Sequence, residues 1–189
     1  MFKRSPYEKT ARLLYDCIVG QARKPEFFRE CGLPDTLDGR FDVLVLHVFL
    51  VMHRLKQDRG RTADLSQALF DILFQDMDES LRELGAGDMG IGRRIKAMAE
   101  GFYGRVAAYE QALNAADQSL EDCVRRNLFG GAAPAAWQLA ALADYIRAEV
   151  AALAGRETGA LLAGELVFGD APVPESGSQG GDSRAAEER

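Results

Sequence analysis

The chain has 189 residues and a formal net charge of −6, and 47% of its residues are hydrophobic and 28% charged. This length and composition are typical of one soluble globular domain, and the acidic balance disfavours nucleic acid as a partner because phosphate binding usually requires a basic excess. The longest apolar stretch, Val43 to Met52, has ten residues, about half of the ~20 that span a bilayer. The sequence therefore predicts no membrane span.

The first predicted helix has a clear start signal. Ser5 suits an N-cap, Pro6 suits the first helical position, and Glu8 completes a capping box. The helix is expected to end between Gly20 and Arg23. Its predicted apolar face consists of Leu13, Leu14, Cys17 and Ile18.

A short helix and a long apolar segment follow. Pro25 is predicted to open the short helix, which Gly32 and Pro34 close, and Asp35–Gly39 is predicted to be a turn. The segment Arg40–Asp58 is apolar on every face, which is typical of a helix at the centre of a bundle.

The fourth predicted helix starts with Thr62 as its N-cap, carries Asp64 where the helix dipole favours an acid, and stops at Gly85. One of its apolar stripes consists of Phe70, Phe74, Met77, Leu81 and Leu84, and the other of Leu65, Leu69 and Ile72. A glycine-rich loop leads to a fifth helix. Its predicted apolar face consists of Ile95, Met98, Phe102, Val106, Tyr109 and Leu113.

The remaining predicted helices are Ser119–Phe129, which Gly130 and Gly131 end, and a long helix opened by Pro134. An apolar piece at 161–168 is expected to dock on the body. The long helix has an apolar face of Leu139, Leu142, Ile146, Val150 and Leu153.

Residues 170–189 are rich in Pro, Gly and Ser and carry five acids and two bases, which is half of the net charge. Such a segment buries too little apolar surface to offset its ordering entropy, so it is predicted to be a disordered acidic tail. The fold prediction is an all-α, single-domain bundle of about six to seven helices over residues 1–169, with a central apolar helix.

The cysteines Cys17, Cys31 and Cys123 include no CxxC pair, and an odd number cannot close a disulfide framework. They are expected to be reduced thiols packed as small apolar side chains. The N-terminus lacks the apolar run of a secretory signal. These features predict a cytoplasmic protein.

His47 and His53 are six residues apart, which places them about 240° apart around a helix, so one face cannot present both to a metal ion. His47, inside the apolar segment, is interpreted as a core histidine whose nitrogens are hydrogen-bonded. Haem binding through either histidine stays a second hypothesis, although no CxxCH motif accompanies them.

The loop Gly85–Gly92, followed by Arg93, Arg94 and Lys96, resembles a phosphate-binding turn, with three cations in the first turn of the next helix. The Rossmann and Walker patterns are absent. Three interpretations of this segment remain open. It is a flexible turn, a contact with an acidic partner or lipid headgroups, or the binding site of a small enzyme for a phosphorylated ligand. Asp76 and Asp78 lack the spacing of a calcium loop. They are therefore interpreted either as part of a solvated helix face or as residues that recognise a partner.

One ordered series of residues is more specific than these motifs. It resembles the ubiquinol–cytochrome c chaperone family, the assembly factors of the cytochrome bc1 complex, over about residues 13–168. The residues that carry it are Leu14, Tyr15, Gln21–Arg23, Asp35–Phe41, Leu46, His47, Gln67–Asp71, Phe74–Asp78, Leu81–Asp88, Gly92–Lys96, Phe102–Arg105 and Tyr109.

The resemblance implies a helical bacterial chaperone without catalytic activity or cofactor that binds newly made cytochrome b. The resemblance also implies a small partner chaperone or the ribosome as a further partner. It implies peripheral contact with the cytoplasmic face of the inner membrane as well. A chaperone of this kind also needs exposed apolar surface to shield membrane segments. The candidate client-binding residues are Asp76, Asp78, Arg93, Arg94, Lys96, Phe102, Tyr103 and Arg105.

Overall fold

The structure is a computed structural model that describes residues 6–83, 85, 88–115 and 119–174. Within these ranges it contains six helices of ten residues or more, two five-residue helices and no strand, so the all-α prediction is confirmed. The helices are α1 Glu8–Ala22, α2 Pro25–Arg29, α3 Leu37–Lys56, α4 Arg59–Glu83, α5 Asp88–Asn114, α6 Ser119–Leu128, α7 Ala136–Ala154 and α8 Thr158–Leu162.

Helix α3 is the predicted central helix, and α1, α4, α5, α6 and α7 all contact it. It begins at Leu37, so the turn predicted at Asp35–Gly39 is too long by three residues. The Thr36 hydroxyl accepts a hydrogen bond from the Gly39 N–H at 3.1 Å and caps the helix. A Cβ atom at Gly39 would overlap the Pro34 carbonyl oxygen, so the bend into α3 requires glycine.

Helix α1 begins at Glu8, with Tyr7 at the N-cap position and no side-chain cap bond, so the start predicted at Pro6 is wrong. The predicted cap residue Ser5 lies outside the described residues. Of the predicted apolar face, Leu14 and Ile18 are fully buried, whereas Leu13 and Cys17 are exposed.

Helix α4 begins at Arg59, three residues before the predicted cap. Thr62 is therefore an internal residue, and its buried hydroxyl donates to the carbonyl oxygens of Leu55 and Asp58 at 2.5 and 2.9 Å. The helix ends at Glu83, and Gly85 follows with φ +79°, a conformation that glycine adopts without strain.

Helix α5 begins at Asp88, so the predicted loop Gly85–Gly92 is much shorter in the structure. Arg93, Arg94 and Lys96 consequently lie in the second and third helical turns and not in the first. Leu84, Ala86 and Gly87 lie outside the described residues.

The C-terminal part follows the predicted pattern in α6 and the docked end piece, whereas α7 begins at Ala136, two residues after the Pro134 that is predicted to open it. Leu161 and Leu166 are buried, and Thr10 donates a hydrogen bond to the Leu162 carbonyl at 3.2 Å. Residues 163–174 are irregular and form the C-terminal segment, in which Ala171 is buried. The predicted tail therefore begins with packed residues, and the disorder predicted for 175–189 lies outside the described part of the chain.

The core is continuous along the bundle. Its largest fully buried side chains include Phe27, Phe49, Phe102, Tyr109 and Phe129. In the ranges that the structure describes, no helix combines the length and the hydropathy that a membrane span requires.

Candidate interaction surface

All eight candidate residues lie on the neighbouring helices α4 and α5. Asp76 and Asp78 are on α4, and the other six are on α5. Several of them are engaged in intramolecular contacts.

Phe102 and Tyr103 belong to an aromatic cluster with Phe70 and Phe74. Phe102 is buried against Phe70 and Phe74, with ring centroids 5.4 and 6.1 Å apart. Tyr103 stacks on Phe70 at 5.6 Å and 29°, yet 60% of its surface is exposed. Phe102 thus fixes α5 on α4, while Tyr103 leaves one aromatic face exposed.

Arg105 forms an ion pair with Asp42 of α3, with 2.6 Å between nitrogen and oxygen. Burial raises the pKa of Asp42 to about 6, and Arg105 partly opposes that rise. A half-buried guanidinium that compensates a buried carboxyl holds α5 on α3. The Arg105 guanidinium is therefore engaged in a contact within the fold.

The three predicted cations of α5 differ in their surroundings. Arg94 contacts Asp38 at 3.0 Å and Lys96 lies 4.0 Å from Glu100, both as exposed pairs that contribute little stability. Arg93 is exposed and pairs with none of the described carboxylates. Of the three, Arg93 is the most available to a partner.

The two acids of α4 are also engaged. Asp76 accepts a hydrogen bond from the Tyr15 hydroxyl at 2.7 Å, and Asp78 pairs with Arg82 one turn later at 2.6 Å. Burial, together with the bond to Asp76, raises the pKa of Tyr15 above its ordinary value. Asp76 thus joins α1 to α4.

A groove of about 210 Å³, which no sequence motif indicates, lies between α1, α3, α4 and α5. Arg23, Arg40, Asp76 and Ser80 are among its polar lining residues. No periodic pattern could have revealed it, since four helices contribute to it. Its apolar lining consists mainly of Val19, Leu37, Phe41, Leu44, Met77 and Met98.

His47 is fully buried and hydrogen-bonded at both ring nitrogens, as the core interpretation predicts. Nδ1 donates to the Val43 carbonyl at 2.8 Å, and Nε2 accepts from the Tyr145 hydroxyl at 2.9 Å. Burial lowers the pKa of His47 to about 4, which keeps the ring neutral. Neither nitrogen is left to bind a haem iron.

The hydrogen bonds continue from Tyr145 to Gln21, whose Nε2 donates to the tyrosine oxygen at 2.9 Å and to the Gly169 carbonyl at 2.8 Å. The Gly169 N–H in turn donates to Glu149 at 2.7 Å. We call the buried side chains of Gln21, His47, Tyr145 and Glu149, together with the backbone of the exposed Gly169 that Gln21 and Glu149 bind, the buried polar network. It ties α1, α3 and α7 to the C-terminal segment.

His53 is engaged with Glu110, with 3.1 Å between Nδ1 and the carboxylate, and Lys56 contacts the same carboxylate at 2.8 Å. Cys31 and Cys123 are buried as predicted, whereas Cys17 is exposed. Within the described ranges, no group of three or more His, Cys, Asp or Glu side chains is placed to hold a metal ion.

These features define an all-α protein with a polar network inside and an aromatic and apolar surface on α4 and α5. The family model described as ubiquinol-cytochrome C chaperone matches residues 29–168. The chain belongs to this family.

Relatives match over much of the chain. The ubiquinol-cytochrome-c reductase complex assembly factor 1 of Xenopus laevis is 28% identical over 169 residues, which are 88% of this chain and 82% of the frog protein. The mouse protein of that name is 26% identical over 72% of this chain, but the match spans only 46% of its own length.

The crystal structure of the Cbp3 homolog from Brucella abortus is similar in fold, with a TM-score of 0.77 and 36% sequence identity. The match covers 87% of this chain and 91% of the Brucella chain.

Proposed function

We propose that this protein is an assembly chaperone of the cytochrome bc1 complex that binds newly made or unassembled cytochrome b. The observation that carries the proposal is the family match over residues 29–168, supported by the 36% identity and shared fold with the Cbp3 homolog. The protein acts by binding and not by catalysis, at the cytoplasmic face of the inner membrane, with a small partner chaperone or the ribosome as a further contact.

The surface of α4 and α5 suits this role physically. A client with membrane segments exposes apolar side chains until it is inserted, and Tyr103 provides an exposed aromatic face beside the half-buried Phe70 and Phe74. Arg93 adds a positive charge for an acidic segment or lipid headgroups. We propose Tyr103, Arg93 and Lys96 as client contacts.

Deletion of the gene in its host tests the function. We expect a fall in cytochrome b, measured by reduced-minus-oxidised difference spectra of membranes, and in quinol–cytochrome c reductase activity. Restoration by a plasmid copy is the control. Normal cytochrome b content and normal reductase activity in the deletion strain would contradict the proposal.

Charge reversal tests the surface separately. Arg93→Glu should reduce recovery of cytochrome b with the purified protein, because it repels the acidic groups that Arg93 attracts. Arg126→Glu is the matched control, since Arg126 is also an exposed helical arginine, on α6. Equal recovery with both variants would show that Arg93 is merely solvated.

A further inference from the structure

The groove between α1, α3, α4 and α5 has the size of a side-chain pocket. Its volume of about 210 Å³ is below the ~300–1,000 Å³ of small-molecule sites. It exceeds the ~150 Å³ apolar cavity that holds a benzene molecule. One large apolar side chain therefore fits, whereas a haem or a nucleotide does not.

The walls of the groove are apolar and partly adaptable. Phe41 and Leu44 of the central helix form a fixed, buried side, while Met77 and Met98 provide flexible thioether chains that adjust to different shapes. Leu37, also a lining residue, is 41% exposed, so the apolar surface continues out of the groove. This surface is suited to a segment of chain and not to a single small molecule.

The charges at the groove differ in how they are neutralised. Arg40 pairs with Asp35 at 2.6 Å, whereas the Asp76 carboxylate accepts a hydrogen bond from the neutral Tyr15 hydroxyl and pairs with no cation of the described residues. Arg23 is exposed and forms no ion pair with a described residue. A partner that enters the groove therefore meets two charged groups without an ion pair among the described residues, Arg23 at the end of α1 and Asp76 on α4.

From this geometry we propose that the groove binds an apolar helix of the client, which inserts one large side chain and places an Asp or Glu carboxylate against Arg23. The inference rests on the proposed function and assigns the partner-binding site within it. A helix laid in an apolar groove is a recurrent mode of recognition, anchored by side chains one turn apart. A guanidinium can hold a carboxylate by two parallel hydrogen bonds, which fixes the orientation of that helix.

Filling the groove tests the apolar half of the proposal. Ser80 lines the groove and Ser66 does not, although both are half-buried residues of α4. Ser80→Phe should lower recovery of cytochrome b with the full-length protein about tenfold or more, because the anchor side chain loses its place. Ser66→Phe, the matched control, should not. Thermal melts establish that both variants are folded.

Arg23 tests the charged half. Arg23→Glu should lower the recovery of cytochrome b, while Arg23→Lys, which keeps the charge, should retain most of it. Arg126→Glu controls for the change in net charge. Equal recovery with Arg23→Glu and Arg23→Lys would overturn the assignment of an acidic partner.

A photo-crosslinking amino acid at position 80, with position 66 as control, identifies the occupant in the host. A crosslink from position 80 to a cytochrome b segment that contains an acid supports the proposal. A crosslink to a second copy of this chain, or equal crosslinking from both positions, overturns it.

The two proposals fail differently. If deletion lowers the bc1 content but Ser80→Phe restores it fully, the groove assignment is wrong and the chaperone function stands. If deletion has no effect on bc1 content, the proposed function itself is wrong.

Discussion

Polar and aromatic side chains are buried in the buried polar network, whereas some of those on the surface of α4 and α5 are exposed. In the network, Gln21, His47 and Tyr145 are buried and bonded to one another. On α4–α5, Tyr103 and Arg93 are exposed. The difference indicates that the network maintains the fold and that the surface is available to a partner, so substitutions should separate stability from function.

The largest loss of stability is expected beside the network. Phe27 is fully buried, with its ring 5.2 Å from His47 and 5.4 Å from Tyr145. Phe27→Ala should lower the free energy of unfolding by about 3–5 kcal/mol, because it removes a buried ring and leaves a cavity. Urea denaturation measures the change. A loss below about 1 kcal/mol would contradict the prediction, because it would mean that the surrounding side chains relax to fill the cavity.

A somewhat smaller loss is expected where α3 meets the junction of α7 and α8. The buried Arg54 donates to the carbonyls of Leu153 and Arg156 and to the Thr158 hydroxyl, at 2.7–3.0 Å. Arg54→Met should cost about 3 kcal/mol, since each buried acceptor left without a donor costs ~1–3 kcal/mol. Unfolding in urea measures this loss, and a midpoint equal to that of the wild type would contradict the prediction.

Arg54→Lys is the matched control for this substitution. The lysine variant keeps the positive charge but not the planar set of donors, so it should satisfy only some of the three acceptors. Its urea midpoint is therefore expected to lie between those of the wild type and Arg54→Met.

The network should also make stability depend on pH. Burial lowers the pKa of His47 from 6.5 to about 4, so the unfolded chain takes up a proton at higher pH than the folded one. The free energy of unfolding should therefore fall as the pH drops from about 6.5 to about 4, by at most ~1.4 kcal/mol per pH unit.

His47→Gln isolates this contribution, because glutamine offers a donor and an acceptor but does not titrate. Asp42 contributes the opposite slope, since its pKa is raised from 3.8 to about 6 and its share of stability falls as the pH rises between those values. The measurement is thus the difference between wild type and His47→Gln at each pH. Parallel curves would contradict the prediction.

The smallest effect on stability is expected at Tyr103. Tyr103→Ala should lower the free energy of unfolding by only about 0.5–1.5 kcal/mol, because the side chain is 60% exposed and loses mainly its stacking on Phe70. Its recovery of cytochrome b should nevertheless fall. Trp137→Ala, at an aromatic residue of α7 that is 42% exposed, is the control and should leave recovery unchanged.

Helix positions can be predicted from the sequence because apolar periodicity records which face is buried. Helix starts are harder to predict, since several residues compete for the cap. Thr62 has the chemistry of an N-cap, yet its hydroxyl donates to the carbonyls of Leu55, in the last turn of α3, and of Asp58. Asp88 begins α5 where the glycines predict a loop.

The interactions between distant residues cannot be predicted from one sequence. Gln21, His47 and Tyr145 meet only after α1, α3 and α7 have packed, and no local pattern marks them as partners. Arg105 is predicted as a client contact from the family resemblance. The ion pair that it forms with Asp42 of α3 cannot be predicted from the sequence. The resemblance identifies the family, but the fold decides which candidate side chains remain accessible.

The C-terminal segment also affects the order in which the chain can fold during synthesis. Thr10, Gln21 and Cys31 donate hydrogen bonds to the carbonyls of Leu162, Gly169 and Pro172. Helix α1 can dock on α3 and α4 as soon as these have been made, but these three bonds must wait until the end of the domain leaves the ribosome. The contacts of residues 10–31 with residues 162–172 can therefore form only after every helix between them has been synthesised.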